Sequence, residues 1–132
     1  MKWTAVTRRR VLRIIFVAYW VTLFGLTHLS KLPACPGPHY KDKFAHVAGY
    51  ALLTGLALAA WHAGGRSAAR SALVWFAVLS SYAAVDELLQ TLVGRSCTLG
   101  DWLADMTGVA LAVAISLIRA GKPPSATDVA QS

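Results

Sequence analysis

Acidic side chains are scarce in this chain of 132 residues: six Asp and Glu stand against 13 Lys and Arg, and charged residues of both signs make up only 14%. Soluble domains carry about a quarter charged residues, so this composition cannot clothe a water-facing surface. Cysteine is confined to Cys35 and Cys97, too few for a disulfide-dense secreted scaffold. The chain has no Gly-rich phosphate loop, no nucleophile elbow and no paired Cys/His zinc spacing. The named reactions that those motifs serve are therefore removed. No internal repeat of useful length is present.

What the chain has is apolar length: 56% of its residues are hydrophobic and its mean hydropathy is +0.51. Four stretches, about Val11 to Leu29, Phe44 to His62, Ser71 to Val93 and Trp102 to Ile118, each approach the roughly 20 helical residues that cross a bilayer core. The expected fold is all-α, a four-helix transmembrane bundle of up-down topology occupying residues 1–121. The first link, Lys31 to Lys43, holds Pro33, Pro36, Gly37 and Pro38, which cannot continue a helix. Gly64-Gly65 stops the second segment, and Arg66 to Arg70 reads as a polar crossing. The third link ends at Asp101, read as the cap of the fourth helix. Residues 122–132, with Pro123, Pro124 and Ser125, read as a disordered cytoplasmic tail.

The excess of positive charge does not form a stripe interleaved with exposed aromatics, which argues against nucleic acid as a partner. It sits instead between apolar segments. Lys2, Arg8, Arg9, Arg10, Arg13, Arg66, Arg70, Arg119 and Lys122 fall on one side, and only Lys31, Lys41, Lys43 and Arg95 on the other. Positive loops stay in the cytoplasm, so both termini are expected inside and the first and third links outside. Thr7-Arg8-Arg9-Arg10 approximates a twin-arginine signal and Leu32-Pro33-Ala34-Cys35 a lipoprotein site. A long first span followed by three more favours ordinary orientation residues and no cleavage. Trp3, Trp20, Trp61, Trp75 and Trp102 include several near span ends, as an interfacial aromatic belt requires.

Five of the six carboxylates gather at the outer end: Asp42 before segment two, Asp86 and Glu87 late in segment three, Asp101 and Asp105 at the start of segment four. Lys43, His46, Gln90, Arg95 and Ser96 join them, while His28, His39 and His62 read as interfacial or loop residues. Asp42 and His46, Asp86 and Gln90, and Asp101 and Asp105 are each four apart and share a helix face. Glu87 lies about 100° round the helix from Asp86, so the two acids face different neighbours. An ionised carboxylate at that depth costs several kcal/mol unless paired, and Arg95, whose planar fork suits a carboxylate, is the natural partner, with Lys43 second. A hard divalent cation among Asp42, Glu87, Asp101 and Asp105, with His46 as a nitrogen ligand, is an alternative. No metal-specific spacing calls for it, however, and no cofactor or metal is required by the pattern. Gly49, Gly55, Gly108 and Ala112 are expected to permit close helix contact.

Asp42-Lys43-Phe44-Ala45-His46, Asp86-Glu87-Leu88-Leu89-Gln90 and Gly94-Arg95-Ser96, followed by Asp101, Asp105 and Gly108, resemble the VanZ-like family of small membrane proteins. The likeness covers about Lys41 to Ala112. Where that family's pattern leads one to expect Asn, this chain has Asp105. The resemblance implies a multi-pass protein of the bacterial inner membrane and cell envelope, and the family's named member is associated with resistance to the glycopeptide teicoplanin. Three functional readings follow. One is a polar cleft binding an amphiphilic, lipid-linked or glycopeptide ligand through Asp42, Lys43, His46, Asp86, Glu87, Gln90, Arg95, Ser96, Asp101 and Asp105. The second is an enzyme using Asp86, Glu87 and His46 in acid-base chemistry on a lipid-linked substrate. The third is a polar clasp without ligand. In such a membrane Cys35 and Cys97 both face the oxidising side and are candidates for a disulfide.

Overall fold

The computed structural model describes residues 4–29, 40–62, 67–94 and 98–121, and they form four helices: α1 (Ala5–His28), α2 (Tyr40–His62), α3 (Ala68–Leu92) and α4 (Leu99–Ala120). All four are long and apolar enough to cross a membrane. Even the shortest, with 22 residues, reaches about 33 Å at 1.5 Å per residue, against a hydrocarbon core of about 30 Å. Cys35, Cys97, Arg66, Arg95, Ser96 and the tail lie outside the described residues.

The helices exceed the apolar stretches that mark them in the sequence. α1 starts at Ala5 rather than Val11 and takes in Arg8, Arg9 and Arg10, and Arg70 belongs to the first turn of α3 rather than to a crossing. Hydropathy delimits the part suited to lipid, whereas backbone hydrogen bonding continues until a cap ends it. Those caps are Thr4, Ser67 and Thr98, whose side chains accept from the amides of Thr7, Arg70 and Asp101. The cap of α4 is thus Thr98 and not Asp101. A hydroxyl three residues earlier takes the amide, and the Asp101 carboxylate accepts the Thr98 hydroxyl proton in return.

α2 and α3 each touch the other three helices, α2 most extensively, and α1 meets α2 and α3 but not α4 among the described residues. Gly108 explains how closely α4 lies on α2. A Cβ there would fall onto the carbonyl oxygen of Val47 and 2.9 Å from the amide nitrogen of Ala51, so only glycine fits. Gly49 receives the Leu23 side chain of α1, and its carbonyl accepts from the Tyr19 hydroxyl at 3.2 Å. Gly55 does not serve as expected: a Cβ there would meet nothing within 4 Å.

The two ends of the bundle differ in chemistry. At one end Phe16 is buried beneath Trp20, Trp61 and Trp75 in edge-on contacts of 5.2 to 5.5 Å, and Arg13 lies over the Trp61 ring at 5.2 Å. Trp20, Trp61 and Trp75 are partly buried and pack against the core. At the other end, the end of α1, the start of α2, the end of α3 and the start of α4 meet, as up-down topology requires. The outside is apolar: Ile14, Val21, Leu73, Leu88 and Ile118 are all exposed, whereas Thr54, Asp86, Glu87, Gln90 and Asp105 are buried. This inversion of the soluble pattern suits a lipid solvent.

Candidate functional site at the polar end

Asp86 and Glu87, adjacent on α3, enter different surroundings. The Asp86 carboxylate accepts from the Tyr82 hydroxyl and the Gln90 amide, both at 3.2 Å, and from the Tyr50 and Thr27 hydroxyls at 3.5 Å. His28 Nδ1 stands 3.7 Å away. Tyr82 and Gln90 lie one turn to either side on the same helix, so α3 itself builds half of this cage, while α1 and α2 supply the rest. Asp86 is saturated with donors and joins three helices.

Glu87 is as deeply buried, at 2% exposure, but neither of its carboxylate oxygens has a hydrogen-bond partner. The Thr98 backbone amide lies near it without closing a hydrogen bond. Around Glu87 stand His46 of α2 and Asp105 of α4, and each of the three side chains holds a ligand-type atom within 4.8 Å of the other two. His46 Nδ1 is 2.9 Å from Asp105 Oδ1, while Asp105 Oδ2 is buried with no partner.

Toward the surface, Lys43 Nζ pairs with Asp101 Oδ1 at 3.0 Å, with the lysine side chain about half exposed. Lys43 thus serves Asp101, not the acids of α3, because it leaves α2 about one turn nearer the surface than His46. Asp42, His46 and Asp101 form a second close group that shares His46 with the buried one. His46 also lines an open cleft of about 390 Å³ between α1 and α2, with Asp42, Thr27 and Tyr50 as polar lining and Leu23, Leu26 and Leu52 as apolar walls.

No family model, curated protein or solved structure matches the chain. The site is therefore known by its geometry. Of the residues singled out in the sequence, Asp42, Lys43, His46, Asp86, Glu87, Gln90, Asp101 and Asp105 all come to the polar end, in two clusters rather than one. Thr27, His28, Tyr50 and Tyr82 are additions. The i, i+4 spacing of Tyr82 and Asp86 was a readable signal for one of them. Thr27, His28 and Tyr50 carried none, since helix ends and lone tyrosines are ordinary in apolar segments. His28 is not a bare interfacial residue: it stacks on Phe24 and stands at the rim of the Asp86 cage.

Proposed function

We propose that this chain is a VanZ-like multi-pass protein of the bacterial inner membrane, with both termini cytoplasmic. Its outward-facing cleft binds an amphiphilic ligand such as a lipid-linked head group. The observation that carries the reading is the two-sided chemistry of the cleft between α1 and α2, where apolar walls of Leu23, Leu26 and Leu52 lead to Thr27, Asp42 and His46. Its volume of about 390 Å³ falls in the range of small-molecule sites, roughly 300–1,000 Å³. A hydrocarbon chain along the walls exchanges lipid contacts for protein contacts at little cost. The polar end then selects among head groups, and carboxylates there favour hydroxyl or ammonium donors.

Native mass spectrometry of the purified protein incubated with bacterial lipid extract tests this. The wild type is expected to retain a specific amphiphile, and Ala48→Trp, which fills the cleft wall, is expected to lose it. Retention of nothing specific, or equal retention by the variant, defeats the reading. A second reading is supported by the hydrogen bond between His46 and Asp105 beside the unpartnered Glu87. His46 and Glu87 then serve as base and acid on the head group. Asp86, engaged by its cage, is a poorer candidate and suits the clasp role. Recovery of a chemically altered lipid from the same incubation identifies the enzyme.

A further inference from the structure

We infer that His46, Glu87 and Asp105 form a binding site for one divalent cation of the zinc or manganese class. Three helices each contribute one side chain, and their ligand atoms already lie within 4.8 Å of one another. Ligands at about 2.1 Å from a metal are separated by roughly 3.0 to 4.2 Å, so modest side-chain rotation closes the set. The observation that points to a ligand, rather than to a cluster of acids alone, is the state of the oxygens. Glu87 and Asp105 are 2% and 0% exposed, yet both Glu87 oxygens and Asp105 Oδ2 have no hydrogen-bond partner.

Electrostatics supports the same assignment. Among the described residues, no Lys or Arg pairs with Glu87 or Asp105, and the nearby cation Lys43 is engaged by Asp101. A divalent ion with a neutral imidazole and two carboxylates makes a neutral unit, which lowers the cost of keeping these groups in an apolar bundle. One nitrogen and two carboxylate donors suit zinc, which takes imidazole, or manganese, which takes carboxylates, better than calcium or magnesium, which prefer oxygen alone. The neighbouring group of Asp42, His46 and Asp101 is a poorer site: Asp101 is already committed to Lys43 and Thr98, and Asp42 is exposed. The sequence offers Arg95 as partner to these acids, a residue outside the described ones; the open valences of Glu87 and Asp105 are what the pattern of residues could not display.

The test uses the full chain purified in detergent with a histidine-free affinity tag, stripped with chelator and re-equilibrated with zinc or manganese alone. Elemental analysis after desalting is expected to find about one ion per wild-type chain and per Gly55→Ala chain, with a metal-induced rise in Tm. Glu87→Gln and Asp105→Asn, each of which removes an anionic ligand, are expected to lose the retained ion and that rise. Cobalt substitution is expected to give d–d absorption without thiolate charge transfer. No retained ion, unchanged affinity in both variants, or a thiolate band assigning the metal to Cys35 or Cys97 overturns the site. If one variant is not monodisperse, the other together with the wild-type cobalt spectrum decides. The inference stands apart from the amphiphile reading, because Ala48→Trp and retained lipid report on the cleft and metal content on the three-helix cluster.

Discussion

Replacing Gly108 by alanine adds a single methyl group, and its effect follows from where that group must go. The new Cβ would overlap the Val47 carbonyl oxygen and approach the Ala51 amide nitrogen to 2.9 Å. Both are backbone atoms inside α2, so no rotamer change relieves the overlap and α4 must move away from α2. Overpacking of this kind costs about 1–3 kcal/mol, with rigid neighbours placing it at the upper end. Alanine returns about 1 kcal/mol through its better helix propensity, leaving a net loss of about 2 kcal/mol. Gly55→Ala is the matched control. It lies on the same α2–α4 side of the bundle and has open space around its Cβ, so only the propensity gain of about 1 kcal/mol remains. The two variants should therefore differ by about 3 kcal/mol in opposite directions. Unfolding by sodium dodecyl sulfate in mixed micelles, followed by tryptophan fluorescence, measures both, since Trp61 and Trp75 pack edge-on within the core. Gly108 also lies one turn from Asp105, so the same variant should loosen the contact between His46 and Asp105. A Gly108→Ala protein as stable as the wild type would refute the backbone-contact argument, as would a Gly55→Ala protein destabilised to the same degree.

Two further outcomes follow. Asp86→Leu leaves the donors of Tyr50, Tyr82, Gln90 and Thr27 facing an apolar group. At about 0.6 kcal/mol per intramembrane contact it should cost about 2 kcal/mol, with Asp86→Asn, which keeps one acceptor, losing about half as much. Equal stability of the two in the same micelle assay would show that the cage does not hold the helices. Reporter fusions at Arg66 and after Lys122 should read cytoplasmic and one at Gly37 external, as the distribution of positive charge requires. An external signal at Arg66 contradicts that orientation.

The four helices were legible because a bilayer sets their length, and the polar end because up-down connection brings Asp42, Glu87 and Asp101 to one height. The division between Asp86 and Glu87 was foreseen only as a rotation of 100°. Which acid would find donors depended on Tyr50 and Thr27, which belong to other helices and announce nothing in the sequence. The cap of α4 was misplaced by three residues because Thr98 and Asp101 exchange hydrogen bonds, and either looks like a cap on paper. Gly55 and Gly108 are alike as letters. Only the crossing point of α2 and α4 separates a required glycine from a replaceable one.

The inverted surface of this bundle sets an uneven tolerance to substitution. Lipid tails conform to any apolar contour, so Leu73 at 71% exposure and Leu88 at 64% should accept Ile, Val, Phe or Met with little penalty. The inner positions have no such freedom. Gly108 excludes even a methyl group, Phe16 supports three tryptophans, and the buried carboxyls need their particular neighbours. Random mutagenesis should thus leave a sparse set of intolerant positions spaced along all four helices, and the exposed apolar positions should drift among apolar residues under hydropathy alone.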